Sequence, residues 1–250
     1  MKVNFLGTAG LAPKGAKATG ARGFLCMIID DQMMVETGEG AFRIMKDSGL
    51  EVNKIKRILI SHVHPDHFLG IVSVLWDMWA NGRTELIEII GGEQVEAATL
   101  QLLKLTSVPF ADPSVRGFDI KFIRLKVGES YDNIQTAKGI HNPEVLAFKI
   151  ISGDRKLVFS GDTAYNETLV GFAKGVDLLI HESGVLKSGH PAHVNAEEAG
   201  RIAHAAGVKR LAIIHWAAEF EGREHELVNA IRKVYDGEII LPFDKTVIDF

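Results

Sequence analysis

The chain has 250 residues, 46% of them apolar, enough to bury a sizeable core and within reach of one α/β or two-sheet domain. A formal charge of −4 supplies no global basic field, which argues against tight nucleic-acid binding driven by charge alone and leaves a local basic patch open. The one cysteine, Cys26, rules out an internal disulfide and fits a reducing, cytoplasmic setting.

Residues 1–8 alternate like a strand, centred on residues 3–6, and lack the long apolar stretch of a secretory signal. Residues 7–23 are rich in Gly, Ala and Lys. Their Lys14, Lys17 and Arg22 either attract an anionic substrate or are ordinary solvated side chains. Residues 23–30 and 32–36 predict a hairpin turning at Asp30-Asp31. Cys26, flanked by Phe24, Leu25, Met27 and Ile28, is then a core residue rather than a nucleophile. Residues 41–46 begin a helix, and residues 55–60 form a buried strand. The apolar window 71–80 is broken by Asp77 and too short to span a bilayer, so no membrane segment is expected. Within it Trp76 and Trp79 share a helix face, where core packing is preferred over a pocket wall. Residues 86–90 are a strand stopped by Gly91-Gly92, and residues 93–105 have helical spacing.

The second half repeats this alternation. Residues 118–127, 145–151, 156–160, 177–180, 211–214, 238–241 and 246–248 read as strands, and residues 166–173, 196–206 and 224–234 as helices. Asn195 with Glu198 three positions on forms a capping-box start for the 196–206 helix. Hairpins early and strand–helix alternation later, in both halves, suggest an α/β four-layer αββα sandwich: two mixed sheets flanked by helices, in one domain over residues 1–250.

Directly after the strand at 55–60 stands Ser61-His62-Val63-His64-Pro65-Asp66-His67, an H-x-H-x-D-H arrangement. Each neutral imidazole offers a nitrogen lone pair and the Asp an anionic oxygen, the donor set that suits zinc and similar divalent cations. Chance would give this pattern on the order of once per thousand such chains, so a metal site is the reading. Four clustered donors are too few for two metals, and further donors stand at other strand ends. His141 precedes the strand at 145–151, Asp162 lies in Ser160-Gly161-Asp162-Thr163 after the strand at 156–160, and His215 ends the strand at 211–214. Each alone would read as a structural His or a turn Asp; beside the first cluster they read as ligands.

Taken together, the 62–67 motif, His141, Gly161-Asp162-Thr163 and His215 resemble the metallo-β-lactamase superfamily over nearly the whole chain. Within it the chain is most similar to the ribonuclease Z-like branch. The matching stretches are Leu6-Gly7-Thr8, Gly38-Glu39-Gly40, Asp66-His67-Phe68-Leu69-Gly70, Ser160-Gly161-Asp162-Thr163 and His181-Glu182, with His193 before Ala196-Glu197-Glu198-Ala199. The resemblance implies two divalent metal ions. His62, His64 and His141 would hold one, Asp66, His67 and His215 the other, and Asp162 would bridge them. Zinc is the default; manganese or iron suit similar N/O donors.

The reaction so implied is hydrolysis of a phosphodiester or related small ester, with a hydroxide shared by the two metals as nucleophile. Asp66 would orient or deprotonate it while ligating, and His193 matches the branch's proton-donor position. His190, one turn earlier beside Pro191, competes for that role against an ordinary solvated-loop reading. Glu182 would orient one of these imidazoles or support a metal-bound one. His181 stays open between such support and packing, and His204 and His225 read as surface residues. Two departures count against transfer-RNA maturation. Gly161 follows His141 by only twenty positions, which leaves no room for the branch's extruded arm, and Gly38-Glu39-Gly40 continues as Ala41-Phe42. The expected partner is therefore a small, anionic substrate, with RNA the lesser alternative and a homodimer left open. An RNA-processing endonuclease without the arm and an iron-dependent redox enzyme on the same fold stand as alternatives. A β-lactamase with a zinc-binding Cys is disfavoured, since Cys26 sits in an apolar strand.

Overall fold

The computed structural model describes residues 1–10, 22–106 and 112–250; Lys14 and Lys17 lie outside the described residues. The chain forms two compact units. The first comprises Met1–Thr8, Gly23–Leu125 and Phe243–Asp249; the second comprises Lys126–Pro242 with Ala9, Gly10, Arg22 and Phe250.

In the first unit seven strands form one mixed sheet: β1 (Lys2–Gly7), β2 (Cys26–Ile29), β3 (Met33–Val35), β4 (Arg57–Ile60), β5 (Ile87–Gly91), β6 (Ile120–Arg124) and β14 (Thr246–Asp249), in the order β14-β1-β2-β3-β4-β5-β6. From β14 to β3 the pairing is antiparallel and from β3 to β6 parallel. The β2–β3 hairpin turns at Asp30 and Asp31, whose φ values of 48° and 58° are those of a type I′ turn, so these two aspartates take left-handed positions that short polar side chains tolerate. Helices α1 (Ala41–Asp47), α2 (Pro65–Phe68), α3 (Ile71–Ala80), α4 (Glu93–Thr106) and α5 (Pro113–Arg116) follow the strands. Ile58 and Ile60 of β4 and Ile87 and Ile89 of β5 share a core with Val74, Leu75 and Met78 of α3 and Leu103 of α4. Those α3 residues fill the core-facing stripe, which leaves Trp76 and Trp79 on the other side, 47% and 39% exposed with rings 5.1 Å apart. The core-packing expectation for the two tryptophans is therefore corrected. Cys26 is fully buried, and burial first, then the negative charge of Glu36 and Asp244, push its thiol well above the usual range.

The second unit repeats the plan. Its sheet holds β7 (Ser130–Tyr131), β8 (Ile134–Lys138), β9 (Leu146–Ser152), β10 (Arg155–Phe159), β11 (Leu178–Ser183), β12 (Arg210–Trp216) and β13 (Glu238–Ile240), ordered β13-β12-β11-β10-β9-β8-β7. It is antiparallel from β7 to β10 and parallel from β10 to β13. Helices α6 (Glu167–Ala173), α7 (Ala196–Ala206) and α8 (Glu224–Arg232) complete it. Helix α7 turns Ala199, Ile202, Ala203 and Ala206 onto Leu179, Leu211 and Ile213. Its capping box is made in both arms: Glu198 N–H donates to Asn195 Oδ1 at 2.9 Å, and Asn195 N–H to Glu198 Oε2 at 3.0 Å.

The single strand expected over residues 118–127 is shorter, and β7 and β8 follow it. The β8 segment Ile134-Gln135-Thr136-Ala137-Lys138 carries one large apolar side chain, so its alternation is faint. Strand β11 runs through His181, Glu182 and Ser183, three residues past the apolar run that announced it. No helix among the described residues is long and apolar enough to cross a membrane.

Candidate metal centre

Most donors follow strands with a parallel neighbour, β4, β10 and β12, at the edge where such sheets expose backbone and loops to ligands, whereas His141 lies between the antiparallel β8 and β9. In the first unit, β4 delivers Ser61 to His67. His62 is buried and its Nδ1 lies 2.9 Å from Ser61 Oγ; its Nε2 faces His64 Nδ1 at 3.0 Å. Two ring nitrogens so placed either share a proton or turn both lone pairs on one cation. Ligands on a tetrahedral zinc at ~2.0–2.1 Å stand about 3.3–3.4 Å apart, so this spacing suits a metal. Asp66 and His67 form a second pair, both buried, with Asp66 Oδ2 3.6 Å from His67 Nε2, too long for a hydrogen bond and close to a ligand–ligand edge. Pro65 starts α2, which turns Asp66 and His67 inward.

Glu36, just past β3, braces Ser61 and faces His67, and was not singled out from the sequence. It is completely buried and accepts the Ser61 N–H at Oε1 (3.0 Å), while Oε2 faces His67 Nδ1 at 3.7 Å. Its φ of 62° is left-handed, a strained position for a glutamate, of the kind that clusters at functional sites. Burial lifts its carboxyl above the usual range, and hydrogen bonding and charge from His67 and bonds from Ser61 act the other way. Its only mark in the sequence was its place directly after the apolar run Met33–Val35, which an ordinary turn carboxylate shares.

The second unit assembles His141, Asp162, Glu182, His190, His193 and His215. His141 Nδ1 lies 3.0 Å from the Ala192 carbonyl, to which it donates, so its lone pair is on Nε2. Asp162 follows β10, and its Oδ2 lies 3.4 Å from His215 Nε2 and 3.9 Å from His193 Nδ1. One donor atom each from Asp162, His193 and His215 lie within 4.8 Å of one another, a group able to hold a metal. His215, at the end of β12, has φ 47°, and a Cβ added to Gly10 would collide with its ring, so glycine at position 10 is required by the imidazole.

Glu182 organises this group. Its Oε1 accepts the Thr163 N–H (2.8 Å) and takes a hydrogen bond from His193 Nδ1 (2.9 Å), and its Oε2 accepts the Gly184 N–H (2.7 Å). Burial opposes a charge on His193, yet the bond and charge of Glu182, with Asp162 behind, lift its pKa above the ordinary imidazole value; His215 works the other way. His181 points to the opposite face of β11. It is fully buried, hydrogen-bonded at Nδ1 to the Glu182 carbonyl (2.8 Å), and burial lowers its pKa, so it packs as a neutral ring. His204 and His225 are exposed.

The chain is similar to known proteins in both sequence and fold. The sequence model of the family described as "Beta-lactamase superfamily domain" matches residues 37–216. A ribonuclease Z of Methanothermobacter thermautotrophicus is 28% identical over 287 aligned positions, covering 94% of this chain and 92% of the relative. Among solved structures, the metallo-β-lactamase fold protein YhfI from Bacillus subtilis superposes with a TM-score of 0.80 at 22% identity, over 99% of this chain and 98% of that one. Human tRNase Z, short form, gives 0.76 at 21% identity, over 100% and 98%. These likenesses show the fold expected from the sequence, an α/β metallo-β-lactamase fold of two mixed sheets flanked by helices, and the similarity to the ribonuclease Z-like branch. With the matched region running from the end of β3 to the end of β12, the chain belongs to the β-lactamase superfamily.

Proposed function

We propose that the protein is a metal-dependent hydrolase of phosphodiester bonds with a binuclear centre. His62, His64 and His141 would hold one cation and Asp66, His67 and His215 the other, with Asp162 the donor they would share. The observation that carries this reading is the pairing of donors at ligand–ligand spacings: 3.0 Å for His62 and His64, 3.6 Å for Asp66 and His67, and 3.4 Å for Asp162 and His215. A pair supplies two donors where zinc takes four, which supports assigning the remaining donors across the two sets. When bound, the divalent cations supply positive charge against a phosphoryl oxygen and make water acidic enough to attack near neutral pH. The protein's own groups do the rest. Asp66, buried beside His67, would orient the attacking water. His193, protonated at Nδ1 and held by Glu182 Oε1 at 2.9 Å, delivers a proton to the departing oxygen from its other nitrogen.

A small, anionic diester is the favoured substrate. Between His141 and Gly161 stands only the short β9–β10 hairpin, and the ribonuclease Z alignment runs over 287 positions, so that relative carries residues this chain lacks. Cleavage of RNA is the second reading, favoured by relatives named ribonuclease Z that match over nine-tenths of their length.

The test is elemental analysis of the purified protein, followed by assay on bis(p-nitrophenyl) phosphate and a transfer-RNA precursor. The expected result is about two zinc, manganese or iron ions per chain and diester hydrolysis that His64→Ala abolishes along with part of the metal. Metal-free protein, or iron with oxygen uptake and no hydrolysis, overturns the proposal. Precursor cleavage that far outpaces diester hydrolysis selects the RNA reading.

A further inference from the structure

Three imidazoles of the second unit, His141, His190 and His193, lie close together, two of them bonded to the backbone of Ala192, and they do not share a tautomer. His141 donates through Nδ1 to the Ala192 carbonyl (3.0 Å), and His193 through Nδ1 to Glu182 Oε1 (2.9 Å). His190 is reversed: its Nδ1 accepts the Ala192 N–H at 3.3 Å. A neutral imidazole that accepts at one nitrogen carries its proton on the other. His190 therefore presents an Nε2–H, and no described side chain or backbone group takes it. An N–H is a donor and has no lone pair for a cation, so His190 is set apart from the ligand histidines around it.

The ring is also held in place. The Gly189 N–H donates to Glu198 Oε1 at 2.9 Å, tying the loop to the first turn of α7, and the Ala192 peptide is fixed at both its N–H and its carbonyl. The His190 and His193 rings lie 5.4 Å apart, tilted by 35°. His193 in turn lies 5.0 Å from the His141 ring and 5.6 Å from that of His215. The imidazole takes one backbone bond, and the loop is tied down on either side of it at Gly189 and Ala192, constraints that an ordinary solvated loop has no need of because each costs conformational freedom. A donor positioned for an anionic oxygen does need them.

We infer that His190 is a substrate-binding residue that donates its Nε2–H to a non-bridging oxygen of an anionic phosphoryl group, beside the oxygen that His193 protonates. No bond is made or broken at His190; it holds the anion while His193 transfers the proton. The ligand class rests on the hydrolase reading, whereas the donor geometry does not.

The test compares wild type, His190→Ala and His190→Gln, the last returning an N–H₂ donor near the lost position. Metal content, KM and kcat on bis(p-nitrophenyl) phosphate, and the Kd for inorganic phosphate by calorimetry are measured for each. Loss of a hydrogen bond to a charged group is expected to raise KM and the phosphate Kd about tenfold or more in His190→Ala, with metal retained and kcat changed far less. His190→Gln should recover much of the affinity. An unchanged phosphate Kd in His190→Ala overturns the inference, as does loss of metal in both variants, which would make His190 a ligand or a structural prop. A wild type that hydrolyses no diester yet binds phosphate in a His190-dependent way refutes the proposed reaction and leaves the binding role standing.

Discussion

Glu182 shows how one carboxylate sets the chemistry of a histidine. Its two oxygens accept backbone N–H groups from Thr163 and Gly184, which fixes the carboxylate, and Oε1 also faces His193 Nδ1. If His193 is the proton donor, it must be protonated to act, and activity falls as pH rises through its pKa. Glu182 raises that pKa, so Glu182→Gln should move the alkaline limb of the kcat profile to lower pH and reduce kcat by about 10–100-fold, with both metals retained. An unmoved alkaline limb would remove Glu182 from the proton-transfer unit. Much of this residue-scale picture was legible beforehand, because histidines and aspartates at strand ends are conspicuous in an otherwise apolar neighbourhood. Glu36 was not, since a lone carboxylate after a strand looks like a turn residue until its burial and left-handed backbone are seen. Nor was the reversed tautomer of His190, which depends on a backbone N–H that no side-chain pattern reveals.

At the scale of elements, local chemistry decided what could be read. Helix α7 was legible to the residue because its start is written in side chains, Asn195 and Glu198, and its end in Gly207, which takes φ 64° past the last turn. Asn195→Ala should cost about 1 kcal/mol of stability by denaturant unfolding, since it leaves the Glu198 N–H without its cap; a loss within experimental error would mean the reciprocal bond alone carries the box. Strand β8 was invisible for the opposite reason. It is held by pairing with β7 and β9, a tertiary cause, and of its five residues only Ile134 is a large apolar one. The tryptophans of α3 mislead in another way: helical periodicity assigns a residue to a face, and only the packed neighbours decide which face is inside.

Each compact unit carries its own core and its own group of donors, so the unity of the metal centre is a question about the whole molecule. A cation bound by the folded chain alone stabilises it by mass action, about 2.7 kcal/mol at a hundredfold excess over Kd. For a chain of this size that corresponds to roughly 5–10 °C in Tm. Chelation should therefore lower the Tm of the metal-loaded protein by such an amount. The decisive comparison sets His64→Ala, from the first unit, beside His215→Ala, from the second. If donors of both units complete one binuclear centre, either substitution should abolish most of the chelator-sensitive shift, and the double variant should add little, because the two changes act on one binding event. If each unit binds cations independently, each substitution removes its own share and the shares add in the double variant. Additive losses, or a wild-type Tm indifferent to chelator, would dissolve the binuclear assignment while leaving both sheets and their cores as described.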